Sequence, residues 1–151
     1  MARPIIVYVA GAYRAPTTWD VAENIRAAER VGLEVARLGA MPLIPQANTG
    51  LFNGQLTAEF WLEGTLELMR RCDAVVLVPG WEAPGGTRGE IEEAIRLGIP
   101  VFVEMAELQR WLAGHAAFGL VELHPRRYMR GMVRGRSSAP ILPPVTSAAG
   151  G

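Results

Sequence analysis

A chain of 151 residues, half of them apolar, is the size of one domain with a sizeable core, and its 15 basic residues, all arginine, balance 15 acids. No apolar run is long enough to span a membrane and no charged-then-apolar leader opens the chain; the lone Cys72 excludes an intramolecular disulfide framework, so a cytoplasmic protein is expected. The charge is uneven, with 10 Arg against 14 acids over Met1–Gly114 and 5 Arg against only Glu122 over His115–Gly151. This separates a domain, 1–114, from a basic tail, 115–151, rich in Pro, Gly, Ala and Ser.

Pro4–Ala10 is apolar and β-branched and ends at Gly11, the pattern of a central first strand. Thr18 is placed to cap a long helix to about Leu38, with Val21, Ile25, Ala28 and Val35 on one face and Gly39 as its stop. Met41–Ile44 reads as a short second strand ending at Pro45, followed by a loop from Gln46 to Gly54. Thr57 opens a helix through Arg71 whose buried stripe is Leu62, Leu66 and Met69.

Asp73–Val103 then reads as strand, loop, helix and strand: Ala74–Val78, a helix from Thr87 with Ile91, Ala94 and Ile95 as its apolar stripe, and Ile99–Val103. A last helix covers about Ala106–Ala113. Alternating strands and helices predict a small doubly wound α/β fold, flavodoxin-like or Rossmann-like, with a parallel sheet ordered 2-1-3-4 and helices on both faces. Phe118–Leu123 offers one further edge strand, and the rest of the tail is expected to be mobile or docked on a neighbouring subunit. The five arginines with Tyr128 interleaved suggest nucleic-acid contact, but a short basic run is more often a solvated tail or an intersubunit contact, so nucleic acid is not the expected partner; His115 and His124 lack a second ligand at useful spacing, so no metal is expected.

Three loops, Gly11–Thr17, Gln46–Gly54 and Gly80–Gly86, converge at the carboxyl edge of such a sheet, where open α/β folds bind ligands. Glu90 lies in the first turn of the helix that opens at Thr87. Thr87-Arg88-Gly89-Glu90 fits a capping box, and the helix dipole favours an acid there in any case. The alternative is a reactive carboxylate at the mouth of the crevice. Tyr8, inside a buried strand, needs a partner for its hydroxyl; that partner is either such a carboxylate or backbone and water. Gly11 lets the backbone turn and approach a ligand, and Arg14 offers a bidentate clamp for phosphate, although GAYRAP is not a dinucleotide fingerprint. Asn48, Phe52, Phe60 and Trp61, on or beside the second loop, are either packing anchors or the wall of a base pocket.

Tyr8-x-x-Gly11-x-x-Arg14, Cys72-Asp73-Ala74-Val75-Val76 and Gly86-Thr87-x-x-Glu90-Ile91 together resemble the nucleoside 2-deoxyribosyltransferase superfamily over about Ile5–Val103. The segments AG-x-YR, FWLEG and LELMRRCDAVVLVPGW are similar to a bacterial and phage branch of it, a domain of unknown function. The resemblance implies a nucleophilic Glu90 held by Tyr8. The presence of Arg14 points to the branch of nucleoside 5'-monophosphate N-glycosidases, with Gly11, Tyr13, Arg14, Asp73, Gly86 and Thr87 as the substrate- and phosphate-binding group. It also implies a homodimer or larger assembly and no cofactor.

The expected activity is hydrolysis of the base–sugar bond of a nucleoside 5'-monophosphate. The rivals are transfer of deoxyribose between bases and a nucleotide-binding module without catalysis. The chain departs from the resemblance at the second acid that such enzymes bring to the base or sugar: Pro84 and Thr65 stand at the matching positions. Glu82 and Glu63 are the candidate substitutes.

Overall fold

The structure is a computed structural model that describes residues 3–83 and 87–115. Four strands, β1 (Ile6–Ala10), β2 (Met41–Leu43), β3 (Ala74–Leu77) and β4 (Val101–Phe102), form an all-parallel sheet in the order β2-β1-β3-β4. The helices are α1 (Thr18–Arg37), α2 (Pro45–Thr49), α3 (Ala58–Arg70), α4 (Thr87–Arg96) and α5 (Met105–His115), with a 3-10 turn at Gly50–Phe52. The predicted doubly wound order is the observed one. None of the described helices is long and apolar enough to cross a membrane. Of the predicted tail, only His115 is described; Phe118–Leu123 and His124 lie outside the described residues.

The continuous apolar runs of β1 and β3 are buried on both faces, and their alternation divides the core in two. Val7 and Val9 of β1, with Ala74, Val76 and Val78, pack against Ala28 and Val35 of α1 and Leu108 and Leu112 of α5. Tyr8, Ala10, Val75 and Leu77 face the opposite way, toward Met69 of α3 and Ala94 of α4. Cys72 is buried in this second layer, and burial pushes its thiol up to about 11, as expected of an inert reduced sulfur.

The ends of the helices follow their local chemistry. Thr17, not Thr18, caps α1, its hydroxyl accepting from the Asp20 amide at 3.1 Å, and Gly39 takes φ 88° just past the helix end. Thr57 caps α3 by accepting from the Phe60 amide at 3.3 Å. Two predicted core positions are instead exposed: Ile95 is on the outer side of α4, and Leu62 lies beside a cavity rather than in the core. Most of Gln46–Gly54, predicted as loop, is instead α2 and the 3-10 turn; α2 begins at Pro45, where a missing amide costs nothing.

Gly11 follows β1 where no side chain can be accommodated. A Cβ there would stand 2.6 Å from Val78 Cγ2 and 2.7 Å from Val78 Cβ, so the first loop and the end of β3 would have to separate. Gly11→Ala is therefore expected to destabilise the fold by about 1–3 kcal/mol, the usual cost of overpacking. A chemical-denaturation midpoint unchanged from wild type would contradict this packing account.

Candidate active site

The carboxyl edge of the sheet opens into a cavity of about 580 Å³ bounded by the first loop, α2, the start of α3 and the start of α4. Glu90 lies in its wall. The residue is 9% exposed, and its Oε1 accepts a 2.6 Å hydrogen bond from the Tyr8 hydroxyl, itself fully buried in mid-strand. β1 therefore supplies the donor and α4 the acid from positions 82 residues apart in the chain. Thr87 is the first residue of α4 rather than its cap, and among the described residues no hydrogen bond links the Glu90 carboxylate to the amides that open the helix. The capping box is not formed by these residues.

Burial is the dominant influence on Glu90 and raises its carboxyl to about 7, while the Tyr8 hydrogen bond pulls the other way without prevailing. Tyr8 is pushed far above the ordinary phenol range, first by burial and then by the Glu90 charge; the neighbouring Thr65 hydroxyl acts in the opposite direction. Tyr8 thus remains a donor throughout the physiological range. Glu90 changes protonation within it, so the site can present either a buried carboxylic acid or a buried carboxylate aimed by a fixed phenol.

Gly11, Tyr13, Arg14, Trp61 and Thr87 line the same cavity. Tyr13 ties the first loop to the second by donating to the Gly50 carbonyl at 3.0 Å, and Arg14 makes no ion pair among the described residues. Gly86 lies outside the described residues. A smaller cavity of about 330 Å³ lies along the first loop, α1 and Val78–Gly80; it shares Arg14 but has no acid in its described lining.

Several expected members are elsewhere. Asp73 precedes β3 and is therefore at the amino edge of the sheet, opposite the cavity. It pairs with Arg3 through both carboxylate oxygens and accepts from the Ile6 amide at 2.9 Å, which fastens β1 to β3. Asn48 is exposed and outside the lining; Phe52 is half exposed, its ring centroid 6.0 Å from that of Trp61 and beside the cavity rather than in its wall. Glu63 and Glu82 are exposed and do not line the cavity. Neither stands beside Glu90 as a second acid.

Gln46, absent from the expected set, belongs to the site. It is 6% exposed, lines the cavity, and donates through Nε2 to the Gly11 carbonyl at 2.8 Å, leaving Oε1 without a partner. Trp61 Nε1 and Thr87 Oγ1 are likewise buried and unpartnered. These three are the unpartnered buried side-chain atoms among the described residues, and all belong to residues lining the cavity that holds Glu90. Each such atom costs about 1–3 kcal/mol when nothing answers it, so the cavity gathers polar atoms that solvent or a ligand must satisfy.

The model of the family described as Domain of unknown function (DUF4406) matches residues 5–103. The chain belongs to this family. No curated protein matches it. The DUF4406 span runs from the residue before β1 to the residue after β4, and so contains every described residue lining the larger cavity, while α5 lies beyond it.

Proposed function

We propose that this DUF4406 protein is an N-glycosidase that hydrolyses the base–sugar bond of a nucleoside 5'-monophosphate, with Glu90 as nucleophile and Tyr8 orienting it. The observation that carries the reading is the buried 2.6 Å Tyr8–Glu90 hydrogen bond in the wall of a cavity at the carboxyl edge of a parallel sheet. The motifs that carry the resemblance to nucleoside 2-deoxyribosyltransferases include these two side chains. Departure of a base leaves positive charge on the sugar, and a carboxylate next to the anomeric carbon traps that charge as a glycosyl ester, which water then opens. Arg14 and the start of α4, with the Thr87 hydroxyl, supply a cation, helix-end amides and a free hydroxyl suited to a phosphate. Gln46 offers an acceptor to the substrate. On this reading the substrate is a nucleotide, the enzyme is cytoplasmic and no cofactor takes part.

The decisive experiment incubates wild type and Glu90→Gln with ribo- and deoxyribonucleoside monophosphates and their unphosphorylated counterparts, with and without an acceptor base, and follows free base by chromatography. Base release confined to monophosphates and lost in Glu90→Gln supports the hydrolase. Exchange into the acceptor base would replace it with a transferase. The lack of any acid other than Glu90 in the described cavity lining favours a second reading, a nucleotide-binding module; tight monophosphate binding with no release by wild type would establish that instead.

Arg14→Ala should raise KM for monophosphates about 10–100-fold, the loss of one charge-assisted contact, and leave kcat within about threefold. Steady-state kinetics on a monophosphate tests this. An unchanged KM would remove phosphate recognition from Arg14.

A further inference from the structure

The glycosidase reading leaves one chemical need unmet: a departing base must be stabilised, and Glu90 is the one carboxyl group in the described lining of the cavity. The positions where a second acid is expected hold Thr65, whose hydroxyl is committed to the Leu62 carbonyl at 3.0 Å, and Pro84, which cannot serve in any conformation. Trp61 Nε1 is a donor that cannot act as an acceptor, and it is buried with no partner. Its ring is held from two sides, edge-on by Phe60 at 5.1 Å between centroids and tilted against Phe52 at 6.0 Å.

The position of Trp61 matches the need. Thr65 lies beside Tyr8, which holds Glu90, and Trp61 is four residues earlier on the same helix, about 6 Å along its axis on the same face. Trp61, Thr65 and Glu90 line one cavity, so on the glycosidase reading a base whose sugar is held against Glu90 has the indole within reach.

Resting on the glycosidase reading, we propose that the Trp61 indole N–H, in place of an acid, stabilises the base as it leaves. In the first step the bond from the anomeric carbon to the base nitrogen breaks and its electron pair goes to the base. A Glu90 carboxylate oxygen forms the new bond to that carbon. The base departs as an anion, held by the hydrogen bond from Trp61 to a ring nitrogen or carbonyl oxygen. It then takes a proton from water, and the resulting hydroxide opens the ester, returning the carboxylate and the free sugar phosphate. Trp61 keeps its proton throughout, so the chemistry depends strongly on how well each base bears negative charge.

The test uses the full chain and a series of nucleoside monophosphates whose bases differ in acidity. Wild type should release the more acidic bases much faster. Trp61→Phe keeps an aromatic ring between Phe52 and Phe60 but lacks the donor. It should slow the poorest leaving base about 10–100-fold, spare the most acidic one to within about threefold, and leave the pH midpoint set by Glu90 in place. Equal slowing of all bases would assign Trp61 to packing and overturn the proposal, as would no slowing of any. A wild-type rate that ignores base acidity, with base release intact, would overturn this inference while leaving the glycosidase reading standing. Absence of release from every monophosphate by wild type would overturn both.

Discussion

Glu90→Gln is expected to reduce base release from nucleoside monophosphates by at least about 10³-fold, because the amide cannot form the glycosyl ester and no other carboxylate among the described residues lines the cavity. The same variant should be more stable than wild type, which separates loss of chemistry from loss of fold. Its amide oxygen can still accept from Tyr8, so the buried hydrogen bond is retained. The carboxyl of Glu90 is raised from 4.5 to about 7, chiefly by burial. A group raised in the folded state contributes stability that is complete below its unfolded value and is lost as pH rises through its folded value. Wild type therefore loses stability between about pH 4.5 and 7, by as much as about 3 kcal/mol, and the glutamine variant does not. Denaturation midpoints at pH 5 and pH 8 check this. The advantage of the variant should be several times larger at pH 8; an equal difference at both values would mean that Glu90 is not held in a burying environment.

The second large effect falls on Tyr8→Phe. Phenylalanine fills nearly the same volume in mid-strand, so β1 keeps its contacts with α3 and α4. What disappears is the one hydrogen bond that lowers the Glu90 carboxyl. That carboxyl must then rise beyond about 7, and the rate, which follows the ionised fraction, should have its pH midpoint displaced to the alkaline side. At pH 7 release should fall about 10–100-fold, with part of the loss recovered near pH 9. A pH–rate profile of the variant decides it. A uniform fall at all pH values, with the midpoint unmoved, would limit Tyr8 to packing.

Much of this was legible in the sequence, for identifiable reasons. Strands buried on both faces read as continuous apolar runs, so β1 and β3 and the order of the sheet followed from composition and connection rules. Tyr8 and Glu90 were each legible as polar groups in need of explanation and the resemblance paired them; the structure adds the 2.6 Å hydrogen bond and the burial. Other features were hidden. The five residues of α2 are too few for a helical period to show, so Gln46 looked like a loop residue although α2 buries it against Gly11. Leu62 and Ile95 satisfied the helical spacing, yet spacing cannot distinguish a face against the core from a cavity rim or an outer surface. Asp73 carried a usable signal: a residue that precedes a parallel strand lies at the amino edge, away from a site at the carboxyl edge. Its bonds to Arg3 and the Ile6 amide give it a structural task there.

The proposed attack of Glu90 on the sugar of a bound nucleotide can be seen by mass spectrometry of wild type quenched in acid during turnover of a nucleoside monophosphate, followed by mapping of the peptide that contains Glu90. A sugar-phosphate adduct is expected on Glu90, decaying as substrate is exhausted and never forming in Glu90→Gln. Base release that continues in Glu90→Gln, with no adduct on the wild-type peptide, would contradict it.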